Sequence, residues 1–406
     1  MPGEKSNRLQ TRNVYVFGVT SFLNDAATEM AYWILPAFVA SLGAGPAKLG
    51  IIEGIAESVA SFARLFSGFL ADRVARRKPI VVSGYFVANA VKPLLAVVSS
   101  WSQILAIRFA DRFAKGVRGT ARDVMVADSV DRGAIGSAYG LIQAMDSAGA
   151  ILGPLVALAL IGHFGMRGVF AWATVPGALC FLVALFGIHE VRKSSRQVAG
   201  SEPPVASSSG QPLAVSHTAA GLPSGYYYVL AVVTLFSLGN SSDMFLVLRT
   251  GDIGIPPAQA PLLGLVFNVM FTLFSWPAGK FSDQFSRSWI AAGGYGVFAI
   301  VYFVFALAPS RSAIWAAMAF YGLFYALTNP VLKALVVESV GEDVRGRALG
   351  IYSFVTSITT LLASVMTGAL WKMYGAAVPF FLSAGIAAVS ALMLVGHRRH
   401  QPPATA

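Results

Sequence analysis

The 406-residue chain is 56% hydrophobic and only 12% charged, with 28 Phe, a formal net charge of +11 and a mean hydropathy of +0.65. Soluble domains carry about a quarter charged residues, so an ordinary soluble domain is excluded. The apolar residues come in blocks near the ~20 residues a spanning helix needs, for example IVVSGYFVANAVKPLLAVV (80–98), GVFAWATVPGALCFLVALFGI (168–188) and AAVPFFLSAGIAAVSALMLVG (376–396). A transmembrane β-barrel would show short alternating segments instead. The expected class is an all-α membrane protein crossing the bilayer repeatedly.

In chain order, the polar opening MPGEKSNRLQTRN does not read as a cleavable signal. The first span, 14–41, carries Asp25 and Glu29 four residues apart and so on one face. The second, 48–71, carries Glu53 and Glu57 at the same spacing, with Arg64 on that stripe. The third, 79–99, holds Lys92. The fourth, 101–123, ends in RFADRFAKGVRGTARD, where Arg108, Asp111, Arg112, Lys115, Arg118 and Arg122 follow a helical spacing that keeps them on one stripe. The fifth, 134–161, contains Asp146 together with Gly140, Gly149, Gly153 and Pro154, which permit close packing and a bend. The sixth, 168–189, holds Cys180, the only cysteine, so no intrachain disulfide forms.

Residues 190–224, rich in Ser, Pro, Gly and Ala, read as a flexible linker between a bundle over 1–189 and a second over 225–406. Six further spans follow, at 225–250, 258–281, 288–308, 311–335, 346–370 and 375–396. They are poorer in charge. Asp243 is the acid inside the seventh, Asn268 lies mid-way along the eighth, and Lys333 stands near the end of the tenth. Trp276-Pro277 and Asn329-Pro330 mark expected bends, and Phe267, Phe271, Tyr321 and Tyr325 offer an aromatic wall.

Lys and Arg concentrate in alternate connections, above all RVARRK (73–78), which places both termini in the cytoplasm. That bias accounts for most of the positive charge without a nucleic-acid partner. The halves also echo each other. SGFLADRVARRKPIVVSGY (67–85) matches AGKFSDQFSRSWIAAGGY (278–295), setting Gly68, Asp72 and Arg76 against Gly279, Asp283 and Arg287, and VADSVDRGAIGSAYG (126–140) matches VVESVGEDVRGRALG (336–350). A duplicated unit with an even number of spans gives parallel repeats.

On these residues the whole chain resembles the major facilitator superfamily. GFLADRVARRKP is close to the family's loop between helices 2 and 3, with Ala75 in place of a glycine. Arg112, Lys115 and Gly116 resemble its Arg-x-x-Gln-Gly motif in helix 4, with Lys for Gln. Gly140, Gly149, Gly153 and Pro154 fit the helix 5 motif of proton-coupled exporters, except that Ala157-Leu158 replaces its terminal Gly-Gly. The resemblance implies twelve helices as two parallel six-helix repeats, with helices 1, 4, 7 and 10 lining a central cavity. It also implies that the loop bearing Asp72, Arg73, Arg76 and Arg77 latches the halves on the cytoplasmic side, echoed by Asp283 and Arg287. Independently of the family, an acid at the end of helix 2 can pair with the bases after it or cap a neighbouring helix N-terminus.

A charge at the bilayer centre costs roughly 2.5–3.5 kcal/mol on insertion scales, so such residues face a cavity or a partner. The acids Asp25, Glu29, Glu53, Glu57, Asp111 and Asp146 nearly balance the bases Arg64, Lys92, Arg108, Arg112 and Lys115. The basic stripe of helix 4 is therefore expected to face acids on helices 1, 2 and 5. With Asp243 and Asn268, these residues form the expected proton-coupling and substrate cavity. The expected function is a secondary active transporter of a small solute or ion, working by alternating access in the cell inner membrane as a monomer. Proton-coupled export is the first direction and proton-coupled uptake the second. A receptor or scaffold on the same fold is the alternative of another class. The sequence presents no ATP-binding loop, no metal-ligand spacing, no nucleophile motif and no cofactor signature, so an enzyme is not expected.

Overall fold

The computed structural model describes residues 2–32, 34–43, 46–191, 222–255 and 260–396. Most of the expected linker, 192–221, and the tail after 396 lie outside the described residues. All regular structure among the described residues is helical.

The first span is divided into α1 (Pro2–Tyr32) and α2 (Leu35–Ser41). The second is α3 (Pro46–Arg73), the third α4 (Lys78–Val91) continued by a 3-10 turn over Lys92–Ala96, and the fourth α5 (Trp101–Asp128). The fifth and sixth spans run as α6 (Ile135–Trp172) and α7 (Thr174–Gly187). The reversal between them occurs at Gly165, whose φ of 63° suits a residue without a Cβ.

The seventh span departs from the continuous helix expected over 225–250. It breaks into α8 (Ser224–Gly239) and α9 (Met244–Asp252). The residues between, Asn240 to Asp243, have side chains that compete with the helix for backbone hydrogen bonds. There the Ser242 N–H donates to Ser364 Oγ at 2.9 Å. Asp243 therefore stands at the N-cap position of α9, at a helix break, with no side-chain capping hydrogen bond of its own. The chain finishes with α10 (Ala260–Gln284), α11 (Arg287–Leu307), α12 (Arg311–Glu338), α13 (Arg345–Tyr374) and α14 (Ala377–Gly396). Pro154, Pro277 and Pro330 lie inside helices, as spanning helices with packed neighbours tolerate.

Seven helical stretches among the described residues are apolar and long enough to cross a membrane by themselves. The charge-bearing α1, α3 and α5 are not in that set. Inside the first half α3 packs along α5, and α1 packs along α6 and α7. The second half is held by aromatic packing instead. Phe236 stacks on Tyr295 at 3.8 Å between centroids, and Phe298 on Tyr302 at 3.9 Å.

The halves join along two related crossings, α3 with α13 and α6 with α10. Each crossing is made by the glycines that the repeat sets in equivalent places. A Cβ on Gly68 would collide with the Gly346 carbonyl, and one on Gly279 with the Gly136 carbonyl. Small residues of this kind let helices approach within backbone contact.

Gly68→Leu and Gly279→Leu should each lower the unfolding midpoint in detergent by several degrees, since overpacking a tight contact costs about 1–3 kcal/mol. Gly293→Leu, where nothing lies within 4 Å of an added Cβ, should leave the midpoint unchanged.

Candidate functional site

The end of the bundle that carries the RVARRK loop, here termed the basic end, is closed by two aspartates. Asp72, at the end of α3, accepts from the backbone N–H of Gly346 at 2.8 Å and of Arg347 at 2.7 Å. Asp283, at the end of α10, accepts from the N–H of Gly136 at 2.8 Å and of Ser137 at 2.7 Å. Each carboxylate thus caps the first turn of a helix in the opposite half, α13 and α6 respectively. The first N–H groups of a helix have no partner of their own, and the helix dipole favours an anion there.

A second layer of charge ties these caps. Arg77 is buried, donates from Nε to the Ala71 carbonyl at 2.8 Å, and reaches Asp128 Oδ2 at 2.6 Å. Arg345, from the other half, grips Asp128 Oδ1. In the related position Arg287 bridges Asp283 and Glu338, each at 2.9 Å. The ungapped match sets Arg76 against Arg287, yet Arg76 is exposed, as is Arg73, and Arg77 makes the equivalent ion pair. The loop 74–77 is longer than its counterpart 285–286, which breaks the one-to-one correspondence. Asp128, Glu338 and Arg345 were not expected as site residues, although Asp128 and Glu338 fall on each other in the second repeat match.

Above this layer lies a cavity of about 240 Å³ shared by both halves. Asp25 of α1, Arg64 of α3, Lys115, Arg118 and Arg122 of α5, and Asp146 of α6 line it. Asp123 of α5 and Lys333 of α12 line it as well, and Lys333 Nζ lies 2.9 Å from Asp123 Oδ2, an ion pair that joins the halves. Arg122 sits 3.1 Å from Asp123 Oδ1, donates to Ser21 Oγ at 2.9 Å and stands 3.9 Å from Asp146 Oδ1. Asp25 accepts from Asn24 Nδ2 at 3.0 Å.

The charged stripe of α5 therefore divides. Its later turns face this cavity, while its earlier turns form a separate cluster with α3. Arg108 holds both Glu53 oxygens at 2.8 Å and lies 3.7 Å from Asp111, which is 3.9 Å from Lys92. Arg112 meets Glu57 at 3.4 Å. Glu29 stands apart from the cavity lining, with its Cβ near Gly153.

The glycines of the fifth span are contact surfaces. An added Cβ would strike the Phe22 carbonyl at Gly149 and the Ala26 carbonyl at Gly153, both on α1. At Gly140 it would strike the Ser275 carbonyl on α10. Pro154 follows in the same helix. The close α1–α6 contact is what lets Asp25 and Asp146 line one cavity.

In the second half, the Tyr321 hydroxyl donates to Asp243 Oδ1 at 2.6 Å and Tyr325 stands at 3.4 Å from the same oxygen. Phe267 and Phe271 pack on these tyrosines, with centroids 5.1 and 5.5 Å from Tyr325. Asn268 spends its amide on the Gly264 carbonyl of its own helix, at 3.0 Å.

The model of the Major Facilitator Superfamily matches residues 17–248 and 213–406. The chain belongs to this superfamily. It is 31% identical over 403 residues to the MFS-type transporter MJ1317 of Methanocaldococcus jannaschii, covering 96% of each chain. It is 25% identical to the multidrug resistance protein MdtG of Salmonella typhimurium, covering 94% of each. Among solved structures it superposes on the human organic anion transporter MFSD10 with a TM-score of 0.77 at 16% identity, covering 95% of this chain and 99% of that one. The E. coli fucose:proton symporter FucP gives 0.74 at 14%, covering 95% and 98%. The major facilitator fold, twelve spans in two parallel six-helix repeats, agrees with the architecture described above and makes this a multi-pass membrane protein.

If the two caps hold the basic end shut, Asp72→Asn together with Asp283→Asn should open it. Spin labels on the exposed positions Asp131→Cys and Glu342→Cys should then move apart by several ångströms in electron–electron resonance. The native Cys180 is buried and would not interfere. An unchanged distance distribution would count against the caps.

Proposed function

We infer that this superfamily member is a proton-coupled secondary active transporter of a small solute, in which residues 1–189 rock against 225–396 to expose the central cavity to each side in turn. The observation that carries this reading is the pair Asp25 and Asp146 on the wall of one cavity shared by both halves, beside the guanidinium of Arg122. A carboxylate shielded from water takes up a proton more readily, and a neighbouring guanidinium opposes that uptake. If Arg122 changes partners as the halves rock, proton binding becomes tied to the position of the cavity.

The Lys and Arg bias supports a cytoplasmic basic end and an inner-membrane location. The closed basic end then corresponds to a state with access from outside. Export is the direction supported by the glycine motif of α6 and by the likeness to a multidrug resistance protein. Uptake is the second reading, favoured by the excess of basic residues on the cavity wall, since a proton and an anion reinforce each other's binding and travel together.

Two measurements test this. In proteoliposomes with an internal pH dye, wild-type protein should move protons when a transported solute is added. Asp25→Asn and Asp146→Asn should each cut that proton movement at least tenfold while preserving solute exchange without a gradient. Full coupling in both variants would remove the assignment. Separately, Ser353→Cys on the cavity wall should react with an impermeant maleimide in intact cells and not in inside-out vesicles, and the reverse pattern would overturn the orientation.

A further inference from the structure

The charges on the cavity wall do not cancel. Five basic side chains, Arg64, Lys115, Arg118, Arg122 and Lys333, face three acidic ones, Asp25, Asp123 and Asp146. With all of them ionised the wall carries two positive charges in excess. The pairing sharpens the imbalance. Asp123 is already held by both Arg122 and Lys333, at 3.1 and 2.9 Å. Asp146 faces Arg122. Of the acids on the wall, only Asp25 remains for Arg64, Lys115 and Arg118, and it makes no ion pair with any of them among the described residues. Outside the wall, Glu57 and Asp111 act on these cations from a distance, but their ion pairs are with Arg112 and with Lys92 and Arg108.

These three cations are the unusual feature. Arg64 and Lys115 make no side-chain hydrogen bond and no ion pair among the described residues. Arg118 is only 5% exposed, and its Nη1 is buried without a hydrogen-bond partner. Its guanidinium lies 4.5 Å from the Tyr85 ring, which stabilises the charge without neutralising it and holds the group at the wall. Other buried arginines among the described residues are paired with an acid, although Arg77, Arg287 and Arg345 each also leave one guanidinium nitrogen without a hydrogen bond. Arg77, Arg108, Arg287 and Arg345 each grip a carboxylate. A buried guanidinium with no ion-pair partner within 4 Å is costly, so its presence beside two further cations without ion pairs marks a place built for something that arrives from outside the chain.

We propose that the cavity binds a small organic dianion, a dicarboxylate or a phosphate monoester, whose two negative charges are met by Arg64, Lys115 and Arg118. This deepens the transporter reading by naming its substrate class. The cavity volume of about 240 Å³ suits a molecule of metabolite size. The three cations come from two helices, α3 and α5, both in the first half. The second half contributes Lys333 and the α13 residues Leu349 and Ser353 to the same wall. A dianion held in this way spans the boundary between the bundles, where it affects their relative position. Arginine forks suit either anionic group, because carboxylate and phosphate oxygens both accept two parallel hydrogen bonds.

The test is thermal unfolding of the full-length protein in detergent at fixed ionic strength and pH. Succinate and glycerol 3-phosphate at millimolar concentration are the two dianion arms, sulfate is the inorganic arm and tetraphenylphosphonium is the cation. The proposal expects at least one organic dianion to raise the midpoint by several degrees beyond sulfate. That shift should disappear in Arg64→Gln and Lys115→Gln and survive in Lys372→Gln, which lies away from the cavity. Which dianion acts distinguishes dicarboxylate from phosphate recognition. A second readout needs no ligand. Because Arg64 and Lys115 lack partners, their Gln variants should unfold at or above the wild-type midpoint, whereas loss of a structural ion pair would lower it. The proposal is overturned if the Gln variants unfold well below wild type, if tetraphenylphosphonium stabilises and the dianions do not, or if the dianion shift persists without Arg64 and Lys115. Stabilisation by the cation would leave proton-coupled transport standing with a different substrate, while loss of proton movement in the flux assay bears on coupling alone.

Discussion

Every charge that this chain carries into the bilayer must be met by an opposite charge, a hydrogen bond or water, and that requirement organises the molecule. Apolar surface does not drive helices together in lipid, because the surroundings are equally apolar. What brings these helices into one arrangement is the need to satisfy polar groups, helped by small residues that let backbones touch. Arg108 draws α5 onto α3 through Glu53, Arg122 and Asp146 draw α5 toward α6, and Lys333 reaches from the other half to Asp123. The first half is in this sense a charge lattice, while the second is an aromatic stack around Phe236, Phe298 and Tyr302.

The same rule explains the closed end. Asp72 and Asp283 are the final acids of helices related by the internal repeat, and each finds the bare N–H groups at the start of a helix in the opposite half. Neither cap requires the other's side chain. They act in parallel across a two-fold relation, so the closure is symmetric although the cavity above it is not. A carboxylate to N–H contact near a polar cavity is strong enough to hold a state and weak enough to be exchanged for water. The asymmetry of charge then separates duties. The first half offers the ionisable groups, and the second offers Asp243 between Tyr321 and Tyr325 with Phe267 and Phe271 behind.

Much of this was legible before any coordinates. Span number and the duplication follow from hydrophobic blocks and two matched segments, because those patterns are properties of the chain itself. The location of the two capping aspartates was readable for the same reason, since Asp72 recurs as Asp283. Other features depend on three dimensions. Helical spacing put Arg108 to Arg122 on one stripe but did not tell where the stripe passes from a paired cluster with Glu53 and Glu57 to the cavity with Asp25 and Asp146. Helical spacing put Glu29 on one face with Asp25, yet its Cβ lies near Gly153 and it is not among the residues lining the cavity. The break at 240–243 was hidden because Asn, Ser and Asp in an apolar stretch read as tolerated polar residues. The role of Arg77 was hidden by a loop of unequal length, and only the geometry separates it from Arg76.

The central idea is that opposite charges across the two halves, and not apolar contact, hold the closed state together. It is tested most directly by reversing one such pair. Asp123→Lys and Lys333→Asp, each alone, should destabilise the purified protein in thermal unfolding, because each brings two like charges together beside the cavity. The double reversal rebuilds an ion pair with the opposite polarity. It should recover a substantial part of the lost stability, giving a favourable coupling between the two positions. A double variant no more stable than the worse of its parents would contradict the account.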